Sequence, residues 1–422
     1  MLDLKKIPTD ERQGKVTGLV RTFLNRFFKK VILVSISILL TPLKLIIKKK
    51  NVVILQSRSR QVYCDNTRYL YECLSQIEGV ETYWVTDNHK IKQYIKNKGW
   101  NYITWHNPIK MIEVTLKAKV VIDNGDGYFD AFNITKSDSV FKISLLHGSG
   151  PKATISRYHN IKVTVQQILN MNKFDYVNFT SKHFAESLGK KTYFLPNEKI
   201  INFGYPRCDS FFDTESVRQA YKDRSVLKSL GHFNEKDKVI LYTPTWRPYK
   251  YRFPLSEMPG FLFNDFNKWL QSHGLIFFYT VHANLFPEDL PKDLDRIIFI
   301  DSDVHPLFDI NELMLEVDIL FNDYSTTSTE FSILERPQIF YMPDYEYYNS
   351  EKCFIEPYRD IMPGQEVFSY DDFKSILLKA SLEPESYVNE HQEATRRLQK
   401  KYYNIEHRHS AKNLSEFVLR LL

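Results

Sequence analysis

The stretch 318–341, DILFNDYSTTSTEFSILERPQIFY, decides the fold class. Asp318–Asn322 is a short β-rich run that ends in a polar turn, Thr327–Leu334 reads as a helix, and Gln338–Tyr341 is a second β-rich run. Strand, helix and strand within so short a span make a βαβ unit, because parallel strands need a crossover connection to return the chain to the same end of the sheet. The alternation extends in both directions. Upstream in the same series lie strand candidates Val239–Thr243, Leu275–Val281 and Arg296–Ile300, with helices at Phe263–Ser272 and Ile310–Glu316. An earlier series has strands at Val52–Gln56, Thr82–Thr86, Lys119–Asp123, Lys142–Leu146 and Val177–Thr180, with helices at Asn66–Leu74 and Met111–Lys117. Two series predict two parallel-sheet α/β units. The polar, charged stretch Asp213–Lys228, within Gly204–Gly231, marks the break between them. The expected organisation is an N-terminal segment over 1–50, a first unit over 51–210 and a second over 211–369. Helices over 370–422 would cap one unit or cross back to the other.

The chain has 422 residues, 43% hydrophobic and 14% aromatic, which excludes a disordered protein and supplies ample material for two cores. Its net charge of +6 is uneven. Residues 1–50 hold 12 Lys/Arg and three acids, a net of +9, which leaves −3 on the rest. The body is therefore no general nucleic-acid binder. Cys64, Cys73, Cys208 and Cys353 are far apart with no C-x-x-C, which excludes a zinc finger and speaks against a disulfide scaffold.

In the basic segment Val16, Leu19, Val20, Phe23, Leu24, Phe27 and Val31 recur at helical spacing, with Lys15, Arg21, Arg26, Lys29 and Lys30 largely off that stripe. A basic amphipathic helix with aromatics on its apolar face suits an anionic membrane surface. The apolar run Val31–Leu40 is followed by Pro42 and Lys44, and a spanning helix needs ~20 uninterrupted apolar residues. Residues 15–50 are expected to attach peripherally, lying at the interface or as a shallow hairpin.

In open α/β sheets ligands bind beyond the carboxyl ends of the strands. Four polar clusters fall at such ends: Leu146–Gly150, Tyr242–Arg247, Tyr279–His282 and Phe321–Ser328. His147, beside the small residues Gly148, Ser149 and Gly150, is suited to general-base work on an alcohol. Ser325, Thr326, Thr327 and Ser328 put four hydroxyls in a row before a helix, where one would serve as a cap, and this favours an anion site. Arg247 is a candidate bidentate partner for a diphosphate. The HGSG run is not an esterase signature, since no G-x-S-x-G exists in the chain, and Asp123–Gly127 does not fit a calcium loop. No metal site and no cofactor motif is read from the sequence.

Taken in order, the motifs resemble those of the CDP-glycerol:poly(glycerophosphate) glycerophosphotransferase family, which builds teichoic acids and related phosphate-linked capsules. The resemblance rests on Tyr63–Leu70 (YCDNTRYL), His147-Gly148-Ser149, Gly204–Asp209 (GYPRCD), Thr243–Arg247 (TPTWR), His282, Asn322–Thr326 (NDYST) and Arg336–Tyr341 with Pro363-Gly364 beyond. It covers roughly residues 51–365. The chain departs from the family pattern where Ser149-Gly150 follow the first His-Gly and Ala283 follows the second histidine.

The resemblance implies a GT-B-like fold, with two Rossmann-type domains facing a cleft. It implies transfer of a polyol phosphate, glycerol or ribitol, from a CDP-polyol to a lipid-linked or polymer acceptor at the cytoplasmic face of the bacterial membrane. The implied catalytic residues are His147 as base and His282. Gly148, Ser149, Thr245, Arg247, Asp323, Ser325, Thr326 and Thr327 would bind substrate, Asp323 by orienting a neighbour. A GT-B glycosyltransferase using a nucleotide sugar is the alternative with the same fold.

Overall fold

The computed structural model describes residues 41–125, 140–152, 161–231, 234, 236–245, 254–281, 291–301, 305–352, 354–403 and 408–422. The amphipathic stripe expected over 16–31 lies outside them; the segment's last part forms a short helix, Thr41–Ile46.

Two parallel sheets form the body. The first contains β1 (Val52–Leu55), β2 (Glu81–Val85), β3 (Asn101–Ile103), β4 (Val120–Asp123), β5 (Phe141–Ser144), β6 (Tyr176–Asn178) and β7 (Ile200–Ile201), in the order β3-β2-β1-β4-β5-β6-β7. The second contains β8 (Lys238–Thr243), β9 (Leu275–Val281), β10 (Ile297–Asp301), β11 (Ile319–Asn322), β12 (Gln338–Phe340) and β13 (Gln365–Glu366), in the order β10-β9-β8-β11-β12-β13. Central strands such as β1 (VVIL) and β11 (ILFN) are buried at every position. Continuous burial, rather than alternation, is what a parallel sheet covered on both faces requires. β3, β7 and β13, two or three residues long, are not among the strands expected from the sequence.

Local signals set the helix limits. The helix Pro108–Lys117 starts three residues before the apolar pattern does, since Pro108 occupies its first turn and the Asn107 side chain accepts from Lys110 N–H. Thr327–Leu334 divides into an α-helical turn, Thr327–Phe331, and a 3₁₀ turn, Ser332–Leu334, closed by Glu335 in the left-handed region.

The C-terminal helices serve both units. Phe373, Leu377 and Tyr387, from helices Tyr370–Leu382 and Pro384–Glu390, pack with Phe277 and Phe321 of the second sheet. Leu398 and Tyr402 of Gln392–Tyr402 join Val177 and Phe184 of the first unit. Leu414 and Val418 of Ser410–Leu421 pack against Leu70, Leu74 and Trp84.

Strand order reverses between β1 and β4 in the first sheet and between β8 and β11 in the second. These are the switch points beyond which an open sheet leaves a crevice for ligand.

Candidate active site

At the second switch point β8 and β11 deliver Thr243 and Asn322 side by side in register. Thr243 Oγ1 donates to Asn322 Oδ1 at 3.0 Å and lies 2.7 Å from Thr327 Oγ1, which in turn donates to Ser325 Oγ at 3.0 Å. Asp323 is fully buried. Its carboxylate accepts from the N–H of Thr245 (2.9 and 3.0 Å to its two oxygens), of Tyr324, and of Ser325 at 3.1 Å. One carboxylate thus locks the turn after β8 to the turn after β11, holding Ser325, Thr326 and Thr327 half-exposed beside Thr245. Asp323 spends its carboxylate on backbone N–H groups of the two turns. Ser328 is different: its hydroxyl is buried and donates to Gln338 Oε1 at 2.8 Å.

In the first unit the chain leaves β5 through Leu146, whose φ of 56° turns the backbone sharply. His147 is exposed, and its Nδ1 lies 3.4 Å from the Asn124 carbonyl. Donation from Nδ1–H to that carbonyl would select the tautomer whose lone pair is on Nε2. Three consecutive carbonyls of this loop are held by side chains. Leu146 O accepts from Asn66 Nδ2 at 3.1 Å, His147 O from Arg207 Nη2 at 2.8 Å, and Gly148 O from the Tyr205 hydroxyl at 3.0 Å. Ser149 departs from the substrate-facing place expected for it. It is fully buried, with its hydroxyl 2.6 Å from Thr180 Oγ1 and donating to Tyr402 O at 3.3 Å. Ser149 fastens the loop to the interior.

The two loops meet. A Cβ placed on Gly148 would lie 2.8 Å from Thr326 Oγ1, and one on Gly150 2.9 Å from Thr329 Oγ1. Residues without side chains are what allow this approach. Behind the contact, Arg207 forms ion pairs with Asp65 of the first unit and Glu330 of the second. Glu330 also accepts from Asn311 Nδ2 at 2.7 Å, Asp309 accepts from Asp65 N–H at 2.9 Å, and Arg68 pairs with Glu312 at 2.8 Å. Burial works against the charge on Arg207, but Asp65 and Glu330 outweigh it and keep the guanidinium protonated.

His147, Gly148, Ser325, Thr326, Thr327, Thr245 and Asp323 are therefore brought to one place. Arg247 and His282 lie outside the described residues, two positions beyond Thr245 and one beyond Val281 at the end of β9. Sequence reading assigned no role to Asn66, Tyr205, Arg207 or Glu330. The first three stand inside motif segments already singled out, and that was the signal available for them. A cavity of about 870 Å³ opens beyond β12 and β13, and it meets the site through Asp344, which accepts from the Tyr324 hydroxyl at 3.1 Å. Its Arg359 is committed to Glu366 at 2.8 Å and lies over the Tyr345 ring at 4.0 Å, so this cavity is a poor home for a diphosphate. Among the described residues no three His, Cys, Asp or Glu gather as a metal site.

Comparison with known proteins bears on family and fold. The chain is 24% identical over 412 residues to a teichoic acid glycerol-phosphate transferase of Staphylococcus aureus, covering 90% of this chain and 96% of that protein. It is 27% identical over 274 residues to a teichoic acid glycerol-phosphate primase of Bacillus subtilis, covering 61% of this chain and 65% of the primase. The fold matches that of the wall teichoic acid polymerase TagF with a TM-score of 0.74 at 17% identity, over 98% of each chain. The sequence profile of the CDP-glycerol:poly(glycerophosphate) glycerophosphotransferases matches residues 39–420. A match over nine-tenths of the length places this chain in the CDP-glycerol:poly(glycerophosphate) glycerophosphotransferase family.

Proposed function

We propose that this enzyme transfers a polyol phosphate, glycerol phosphate first and ribitol phosphate as the alternate, from a CDP-polyol to the hydroxyl of a membrane-linked acceptor in teichoic-acid-like polymer synthesis. The observation that carries the reading is the meeting of the His147 loop with the hydroxyl-bearing turn Ser325–Thr327 across the two units. The acceptor oxygen attacks the phosphorus bearing the polyol and a new P–O bond forms. The bond to the CMP oxygen breaks, CMP leaves with the electron pair, and the acceptor's proton passes to Nε2 of His147. Ser325, Thr326 and Thr327, fixed through Asp323, would hold the diphosphate oxygens. Arg247 and His282 would offset the charge gathering on CMP. Phosphoryl transfer asks mainly for positioning and charge stabilisation, which a site divided between two units can supply.

The test is a product assay with CDP-glycerol, CDP-ribitol and UDP-glucose in parallel, a lipid acceptor present, scoring CMP against nucleoside diphosphate. CMP from a CDP-polyol is expected, and its absence from every CDP-polyol overturns the proposal. Nucleoside diphosphate from UDP-glucose alone would mark a nucleotide-sugar glycosyltransferase. His147→Ala should lower kcat by about 10²–10⁴-fold.

No helix among the described residues is long and apolar enough to cross a membrane. The basic amphipathic pattern of residues 15–50 supports peripheral attachment at the cytoplasmic leaflet. Deleting residues 1–50 should move the protein from the membrane fraction to the soluble one. Retention in the membrane fraction would refute that attachment.

A further inference from the structure

We propose that Asn66, Tyr205 and Arg207 aim His147, and that Arg207 ties this aim to the seating of the second unit. The proposal rests on the reading of His147 as the base. Each of the three side chains donates to one carbonyl of the consecutive Leu146, His147 and Gly148. A loop that turns through a left-handed residue has no ladder partners for its carbonyls, so such donors decide where its side chains point. The donors are themselves linked. Arg207 N–H donates to Asn66 Oδ1 at 3.4 Å, and the guanidinium lies 5.3 Å from the centre of the Tyr205 ring.

Arg207 does more than hold a carbonyl. Its fork takes Asp65 with one nitrogen, and Glu330 together with the His147 carbonyl with the other. Glu330 lies three residues beyond Thr327 on the short helix that follows the hydroxyl turn. One guanidinium therefore touches the backbone of the base and the helix behind the phosphate-facing hydroxyls. The arrangement is not one that stability alone explains. A buried ion group of this kind is commonly replaceable by apolar residues without loss, and here the Arg207 Nε is buried with no hydrogen-bond partner among the described residues. The fork is set for its three acceptors, leaving one donor unmet. Displacing a reacting group by about 1 Å costs on the order of 10²-fold in rate, so the precision of this clamp should be read in kcat.

Two variants test it, assayed on the full chain with CDP-glycerol and a lipid-linked acceptor. Arg207→Lys keeps the charge but cannot fork, and Tyr205→Phe removes one hydroxyl. Expected are kcat losses of about 100-fold and about fivefold, with the CDP-glycerol Kd measured by calorimetry within about threefold of wild type. Wild-type kcat in both variants overturns the proposal, and so does a Kd weakened as far as kcat falls, which would mark a general loss of structure. If Arg207→Lys does not fold, the kcat of Tyr205→Phe alone decides between the two outcomes. His147→Ala measured alongside separates the two readings. Full turnover there removes the base itself, whereas an impaired His147→Ala beside unimpaired Tyr205→Phe and Arg207→Lys removes only the aiming role.

Discussion

A single methyl group distinguishes glycine from alanine at position 148, and there is no room for it. The added Cβ would lie 2.8 Å from Thr326 Oγ1 and 3.1 Å from Thr326 Cγ2, so the Thr326 side chain or the loop that carries position 148 must shift. Gly148→Ala should lower kcat on the order of 10–100-fold. Thr326→Ser in the same chain, which drops Cγ2 and lets the remaining hydroxyl rotate, should recover part of the loss. Wild-type kinetics for Gly148→Ala would show that the units do not meet here during turnover. At this scale the site was half legible. His147 and Ser325–Thr327 stood out because polar residues at strand ends break an apolar pattern. The Arg207–Glu330 pair did not, because its members are 123 positions apart and neither carries a local signal of the other. Gly364 shows how a motif residue can be legible in identity and silent in purpose. A Cβ there would stand 1.9 Å from the Gln338 carbonyl oxygen, so this glycine serves the approach of β13 to β12 and not the chemistry.

Among elements, the helix Gln392–Tyr402 is fastened by charge at its C-terminal end. Glu356, from the loop after helix Tyr345–Lys352, accepts from the Tyr402 hydroxyl at 2.6 Å, pairs with Lys401 and lies 3.5 Å from His183 Nε2. Burial pushes its carboxyl upward, but the hydrogen bonds from Lys401 and Tyr402 outweigh burial and hold it below its ordinary 4.5. A carboxylate whose folded-state pKa is lowered contributes stability that is complete above 4.5 and is lost as pH falls through the folded value. Thermal melts between about pH 5 and pH 3 should show this acid limb, and Glu356→Gln should melt lower at neutral pH and depend less on acid. An unchanged acid limb in the variant would assign the limb to other carboxylates. The alternation of strands and helices was readable because central parallel strands are apolar runs bounded by turns. The short edge strands β3, β7 and β13 were not, since register with a neighbour defines them and their own composition does not, whereas the five-residue apolar edge strand β10 was readable.

The molecule as a whole is tied through the return of its C-terminal helices. Leu414 and Val418 are fully buried against Leu70, Leu74 and Trp84, far along the chain and on the unit opposite the sheet they follow. Leu414→Ala should destabilise by about 2–5 kcal/mol, as a core truncation does, while leaving the CDP-glycerol Kd of the folded fraction unchanged. Chemical denaturation with donor titration would check both, and a loss under about 1 kcal/mol would show the helix to be loosely docked. The same return sets a schedule for synthesis. A ribosome releases the first sheet early, yet its core stays open along the face of Asp65–Leu74 until residues 410–421 emerge. At roughly 5–20 residues per second the nascent first unit waits many seconds with apolar surface exposed. Chaperone occupancy on the growing chain should therefore peak over the first unit and fall only once residues 410–421 have emerged and docked.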